Sequence, residues 1–415
     1  MWDLLVLTAG SKNQKQNFEK ILKTLPNIRN FVRDVIVIAD EPEGFCIGSG
    51  GSTLVVLRKL KESYGELLSE KKILLCHSGG FSKRMIHLSA VGKVFARLPN
   101  GKTVLETKLE HYNNHLLDYL PKGLMITASD VLEDMRGISE TFQSELDAII
   151  FAHQSSPKVG TQHGVFCLDT NSDLVRVLQK PTLKVLEKEH AIRSNGTVLT
   201  DSCFWLSWHI CNLLEKTALF PVSEELCCYG DFMRSMGSDP DLSYIKDSKQ
   251  RQIFAQTFSS TKRIKIFDLG PTETFFHFGT YKEFLEHLTA GSEFQKVFNA
   301  GDFQNSEFCK LASSTEVPKT SFLSGVENGE TTEVPSNSII VTYPLKENLG
   351  FTTVVFDVEF DFKSIWDFKR FSAYPTRPKS FNAVKNGMPE IGQYSLRDLT
   401  QLYDIDKHLE WTNNF

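Results

Sequence analysis

The run Ile73–Lys93, ILLCHSGGFSKRMIHLSAVGK, decides the reading of this chain. Its apolar start, Ile73 to Cys76, reads as a short buried strand. The strand empties into Ser78-Gly79-Gly80-Phe81-Ser82, followed by Lys83 and Arg84, with Lys93 after Gly92. Paired glycines carry no Cβ, so the backbone can come close to a ligand. Consecutive amides then face the space where a phosphate sits. Arg84 and Lys93 add fixed positive charge. The combination points to a nucleotide handled through its phosphates. Two other phosphate loops are excluded: there is no GxxxxGK[ST], and no GxGxxG leaves this strand.

Outward from this run, the chain alternates. Leu4 to Thr8, Val35 to Ala39, Leu124 to Ala128, Ala148 to Ala152 and Gly164 to Leu168 read as strands. Asn17 to Leu25, the pattern Leu54, Leu57, Leu60, and Leu105 to Leu120 read as helices. Such alternation predicts a Rossmann-like α/β domain over 1–290, with a mixed, mainly parallel sheet covered on both faces. Ligands of these sheets bind beyond the carboxyl ends of the strands. The Gly48–Thr53 loop (GSGGST), the Gly79-Gly80 loop and Asp130 all follow such ends. Gly48, Gly50 and Gly51 are therefore candidate phosphate contacts, and read alone they would also suit a kinase. Asp130 would suit a hard cation such as Mg²⁺, or the N-cap of the segment after it.

Composition narrows the class. At 415 residues the chain exceeds one hydrophobic core, so two domains are expected. With 41% hydrophobic and 23% charged residues it is an ordinary globular composition. A net charge of −5 gives no electrostatic footprint for nucleic acid or an acidic membrane. The first residues, MWDLLVLTAG, lack a signal-peptide pattern, and no run reaches transmembrane length. Eight scattered cysteines without a CxxC pair read as reduced thiols of a cytoplasmic protein, and a zinc site is not expected. The 31 phenylalanines are expected mainly in the cores.

Beyond about Gly291 the pattern changes, which places a smaller C-terminal domain at 291–415. Within it Ser314–Leu323 (STEVPKTSFL) is matched by Thr331–Ile340 (TTEVPSNSII), an offset near one coil of a hexapeptide β-helix. A reduced β-helix-like part is therefore expected. Val354 to Phe362 reads as a strand and Leu396 to Trp411 as a helix.

The HSGGFSKR run with Lys93 resembles the signature of the sugar-nucleotide pyrophosphorylases, and most closely that of the fucose-1-phosphate guanylyltransferase family. Further matches, in the family's order, are GSGGST, His163-Gly164-Val165-Phe166, Lys180-Pro181, and His277-Phe-Gly-Thr280 opening a helix. Departures stand out: Gln179 replaces the Glu that precedes this Lys in the wider pyrophosphorylase group, an N-terminal extension carried by some relatives has no counterpart, and the segment between Lys180 and Asp201 is short. The resemblance implies transfer of GMP from GTP to L-fucose 1-phosphate, with release of pyrophosphate. It assigns Arg84, Lys93 and Lys180 to phosphate charge and Ser78, Gly79, Gly80, Ser82, His163 and Gly164 to the nucleotide. Lys180, Asp201 and His277 go to the sugar phosphate. Mg²⁺ would rest on Asp130, with Asp231 preferred to Asp201 as a second ligand. Three alternatives remain open: another sugar 1-phosphate and nucleotide pair, an idle nucleotide-sugar binder, and a small-molecule kinase. Oligomeric state and base-reading residues are not legible.

Overall fold

The computed structural model describes residues 1–261, 263–270, 273–301, 305–328, 333–375 and 391–412. They form two compact units that interleave along the chain. The first comprises residues 1–15, 27–79 and 108–275, and the second 16–26, 80–107 and 276–415.

The strands of the first unit are β1 (Trp2–Ala9), β2 (Val32–Ala39), β3 (Lys72–His77), β4 (Gly123–Ala128), β5 (Val131–Glu133), β6 (Ala148–Ser155), β7 (Gly164–Leu168), β8 (Leu174–Gln179), β9 (Val198–Leu206) and β10 (Ile264–Asp268). The main sheet runs β10-β6-β9-β4-β3-β1-β2. Most of its ladders are parallel, while β9 runs against both β4 and β6. The hairpin β7–β8 joins through Val165 opposite Thr200 of β9. Both faces are covered, so the central strands are apolar runs and not alternating ones. All nine residues of β9 (VLTDSCFWL) are buried. Helices Gly48–Tyr64, Trp208–Thr217 and Lys249–Ser259 supply one covering layer, with Leu54, Leu57, Leu214 and Phe254 in the same core as Leu75 and Ile126.

One polar cluster is sealed inside this unit. Lys108 Nζ lies 2.8 Å from Glu133 Oε2, and both side chains are fully buried. Tyr112 donates to the same oxygen at 2.6 Å, and Ser202 donates to Oε1 at 2.9 Å. Lys108 also donates to Thr127 Oγ1 at 2.7 Å. Against the cost of burial, the Lys108 ammonium and the Tyr112 hydroxyl hold the Glu133 carboxyl below the usual carboxylate range.

The second unit contains β11 (Phe275–His277, begun at the last residue of the first unit), followed by β12 (Ser306–Glu307), β13 (Lys310–Leu311), β14 (Phe322–Ser324), β15 (Glu327–Asn328), β16 (Ser338–Leu345) and β17 (Gly350–Asp357). β12, β14 and β16 pair in parallel, Leu323 facing both Ser306 and Ile340. β13 and β15 repeat the same step. Ser338 N donates to Ser321 Oγ, 17 positions earlier, at 3.0 Å. The expected self-match therefore coincides with a parallel step of 17 residues, although its members Thr331 and Thr332 lie outside the described residues.

Three expectations are corrected. The first helix is Lys12–Lys23, earlier than its apolar spacing indicated, because Ser11 Oγ accepts from Gln14 N and opens it. The strand expected over Val354–Phe362 is β17, antiparallel to β16, and stops at Asp357. Beyond it Phe360 and Phe362 turn back onto Phe356, at 4.8 and 5.0 Å between ring centres. The single C-terminal helix is two, Leu396–Gln401 and Ile405–Thr412, parted where Asp404 N donates to Pro344 O. Among the described residues no helix is long and apolar enough to cross a membrane.

Removing one partner of the sealed ion pair strands the other's charge. Glu133→Ala is expected to cost about 3–5 kcal/mol of unfolding free energy in a urea titration. The double replacement Lys108→Met with Glu133→Leu should recover most of it, since well-packed apolar side chains need no partner.

Candidate active site

Three parallel strands deliver their carboxyl ends to one edge of the first unit. Leu7 of β1 stands beside Cys76 of β3, and His77 beside Ala128 of β4. Side-chain and backbone bonds tie these ends together. The Thr8 hydroxyl accepts from the amides of Ser78 at 3.0 Å and Gly79 at 3.2 Å. Ser129 N donates to His77 O at 3.1 Å, which fixes the turn carrying Asp130 against the start of the signature run. A Cβ on Gly79 would stand 2.9 Å from the Gly10 amide nitrogen, so the glycine permits this close approach of two backbones. His77 is half-buried between the Thr53 hydroxyl, 3.0 Å from Nε2, and the Cys228 thiol, 3.7 Å from Nδ1. Burial pushes its imidazole down to about 4, so it is neutral at ordinary pH.

A second group gathers around Asp201 in β9. Gly164 N donates to Asp201 Oδ1 at 2.9 Å, and His163 Nδ1 lies 3.8 Å from the same oxygen. A Cβ on Gly164 would come within 2.7 Å of Asp201 Oδ2 and 3.2 Å of Gln179 Oε1, so a larger residue there would push these side chains aside. Burial pushes the Asp201 carboxyl up to about 7, opposed by the Gly164 amide and the Lys180 ammonium. Lys180 is exposed, in left-handed backbone at φ +48, and its amide donates to His163 O at 2.9 Å. The buried Gln179 Oε1 and Tyr229 hydroxyl find no hydrogen-bond partner among the described residues.

Two groups of expected site residues have other work. Asp231 Oδ1 accepts from Arg251 Nε at 2.8 Å, and Oδ2 from Cys227 N at 2.7 Å. Arg251 also reaches Glu224 at 2.7 Å. Asp231 Oδ1 thus ties the 224–231 segment to the helix Lys249–Ser259, while Oδ2 braces the segment from within. Gly48, Gly50 and Gly51 open the helix Gly48–Tyr64. Gly50 N donates to Leu226 O at 2.8 Å, a Cβ on Gly48 would collide with that same oxygen, and one on Gly51 would collide with Ile47. These glycines serve close packing against 222–226.

The second unit gathers the basic part of the signature. Gly80 takes φ +89, and Ser82 is buried with its hydroxyl unpartnered among the described residues. Lys93 Nζ lies 3.4 Å from Gly279 O. His277 Nδ1 is 3.2 Å from Glu283 Oε1, while Glu283 Oε2 accepts from Gly279 N at 3.1 Å and from Thr280 Oγ1 at 3.0 Å. Thr280 caps the helix Tyr281–Leu288 by accepting from Glu283 N, as its position in the sequence predicted. Burial would raise the Glu283 carboxyl, but His277, Thr280 and the field of Arg84 hold it at about 2. Arg84, Lys93 and His277 therefore share one neighbourhood around Glu283 and Gly279.

Sequence reasoning missed Thr8, His77, Glu133 and Glu283 as organisers of these groups. For Glu283 a signal existed, since Thr280 and Glu283 have capping-box spacing. The others show their partners only in three dimensions.

Comparison with known proteins adds to this geometry. A family model described as the fucose pyrophosphorylase domain matches residues 65–308. The chain is 28% identical over 342 residues to the fucose-1-phosphate guanylyltransferase of Homo sapiens, covering 70% of this chain and 55% of that protein. It is 28% identical over 268 residues to the L-fucokinase/L-fucose-1-P guanylyltransferase of Bacteroides fragilis, covering 59% and 26%. For the bifunctional fucokinase/GDP-fucose pyrophosphorylase of Arabidopsis thaliana the identity is 24% over 341 residues, covering 69% and 32%. The chain thus spans about half the length of the human protein and a smaller share of the bifunctional ones.

Asp201 makes stability depend on pH. Folded, its carboxyl keeps a proton up to about pH 7; unfolded, it loses it near pH ~4. Between those values the unfolded chain binds fewer protons, so the Asp201 contribution to stability falls as pH rises. Asp201→Asn should flatten this part of the decline when unfolding free energies at pH 5 and pH 8 are compared. An unchanged slope would mean that the carboxyl is ionised in the folded chain.

Proposed function

Because the chain belongs to the fucose pyrophosphorylase family, we propose that it transfers GMP from GTP to L-fucose 1-phosphate, giving GDP-L-fucose and pyrophosphate. The observation that carries this reading is the edge where the HSGGFSKR run leaves β3 alongside the Asp130 turn of β4. Phosphate chemistry at that edge needs alignment and charge neutralisation more than acid–base help, since a sugar phosphate is already an anionic nucleophile. The sugar phosphate oxygen attacks the α-phosphorus in line and pyrophosphate departs opposite. Arg84 neutralises the departing pyrophosphate, Lys93 the α-phosphate and Lys180 the sugar phosphate. Ser78, Gly79, Gly80 and Ser82 line the nucleotide, with the Thr8 hydroxyl holding two of their amides in place. The proposal assigns His163 and Gly164 to the nucleotide, and Asp201 and His277 to the sugar phosphate.

Mg²⁺ belongs to this proposal with a reduced set of protein ligands. Among the described residues no three His, Cys, Asp or Glu side chains gather closely enough to hold an ion. Magnesium keeps several waters and is held by one or two carboxylates with substrate phosphates, so Asp130 at the strand end fits such an ion. Asp231, the preferred second ligand, has its oxygens accepting from Arg251 and Cys227. When bound, the ion would screen repulsion between the nucleotide and sugar phosphates.

The proposal divides the chain functionally into a nucleotidyltransferase part, 1–290, and a C-terminal part, 291–415, whose parallel steps we read as a reduced β-helix.

The test is pyrophosphate release with Mg²⁺, GTP and L-fucose 1-phosphate, with ATP, UTP and mannose 1-phosphate in parallel. Release confined to the GTP and fucose 1-phosphate pair is expected; release with another pair would reassign the substrates. Arg84→Ala and Lys93→Ala are each expected to lower kcat by about 10²–10³-fold with the melting temperature unchanged. Near-normal turnover in either variant would remove that residue from the mechanism.

A further inference from the structure

Both neighbours of Ser82 in the signature run are engaged by a distant part of the same unit. Phe81, 41% exposed, meets the ring of Trp366 at 5.5 Å between centres. The Arg397 guanidinium lies 5.7 Å from the centre of the Phe81 ring. Lys83 Nζ lies 5.8 Å from the centre of the Trp366 ring. These partners are themselves fixed. Trp366 is 2% exposed, and its carbonyl accepts from Arg397 N at 3.2 Å. Arg397 Nε donates to Asp367 Oδ1 at 2.5 Å, and a capping box of Ser395 and Asp398 holds the start of its helix. Segments at 366–367 and 395–398 thus converge on residues 81–83.

The loop they meet needs outside support. It opens at Gly80 in left-handed backbone, and its internal bonding includes one short turn, Lys83 N to Phe81 O at 3.0 Å. Arg84 comes next, exposed and making no hydrogen bond or ion pair among the described residues. A long exposed side chain on a permissive loop loses rotamer freedom when it engages a phosphate. Holding the backbone just before it lowers that cost, because packed aromatic rings and cations over rings restrict direction as well as distance.

We propose that Trp366, supported by Arg397, is a positioning residue for the signature loop, so that the C-terminal part of the chain presets Arg84 for its phosphate. The inference rests on the reading of Arg84 as a phosphate-binding group. It gives the C-terminal part a specific mechanical task and requires no ligand of its own there.

The experiment pairs two readouts on the full chain. Trp366→Ala is expected to speed amide hydrogen exchange at residues 80–84 while leaving the β3 amides 73–76 as they were. The same variant should lose about 10–100-fold in kcat for pyrophosphate release, the size expected when a positioned group is loosened. KM for GTP should move less than kcat, and Trp366→Phe, which keeps a ring, should recover most of both losses. Unchanged exchange at 80–84 overturns the proposal whatever the turnover. Faster exchange with near-normal kcat overturns the positioning role as well. If Trp366→Ala loses protection throughout the chain, Arg397→Met takes its place under the same criteria. A wild-type protein that releases no pyrophosphate would sink the functional reading, while exchange at 80–84 would still decide whether Trp366 holds the loop.

Discussion

The buried Lys108–Glu133 pair is the constraint on which the rest of the first unit turns. Taking two charges wholly out of water is costly, and such a pair is tolerated only when nearly every donor and acceptor finds a partner. Here Tyr112, Thr127 and Ser202 supply those partners. Thr127 lies three residues before Asp130 and Glu133 three residues after it. Ser202 is the neighbour of Asp201. One sealed cluster thus anchors both flanks of the Asp130 turn and the strand that bears Asp201. A purely apolar plug could fill the same volume, but it would set no direction for the turn. Directional bonds to fixed charges do.

Around that anchor, the edge of the sheet is assembled by bonds that link one strand end to the next. The Thr8 hydroxyl takes up two amides of the signature run, and His77 O takes up the amide of Ser129. Glycine at positions 79 and 164 removes the Cβ that would otherwise separate these elements. In the second unit, Glu283 plays the corresponding part by gathering His277, Gly279 and Thr280 beside Lys93. The basic residues are held by backbone carbonyls, by an acidic field and by flanking aromatic rings, which leaves Arg84 itself exposed.

Much of this was legible in the sequence. Strands buried on both faces are uninterrupted apolar runs, so β1, β3, β4 and β6 announced themselves, and Thr280 declared the start of its helix. The self-match of Ser314–Leu323 pointed to a repeating step, which the structure shows as parallel pairing 17 residues apart. Other features have contacts that the sequence does not display. The glycines at 48–51 have the composition of an anion loop, yet they pack against Leu226, a contact that no local pattern encodes. Asp231 precedes an apolar stretch and looks like a free carboxylate until Arg251, twenty residues on, closes over it.

The sequence by itself determined the alternation of elements, the order of the motifs and the chemical types available at each strand end. Those depend on local hydrophobic period and backbone freedom, which neighbouring residues set. Only the tertiary structure decided which polar groups find their partners within the fold. It also decided that residues 80–107 keep company with 276–415 and not with the strand that leads into them. Burial and hydrogen-bond satisfaction are properties of residues far apart in the chain, so they come into being only when the chain has folded.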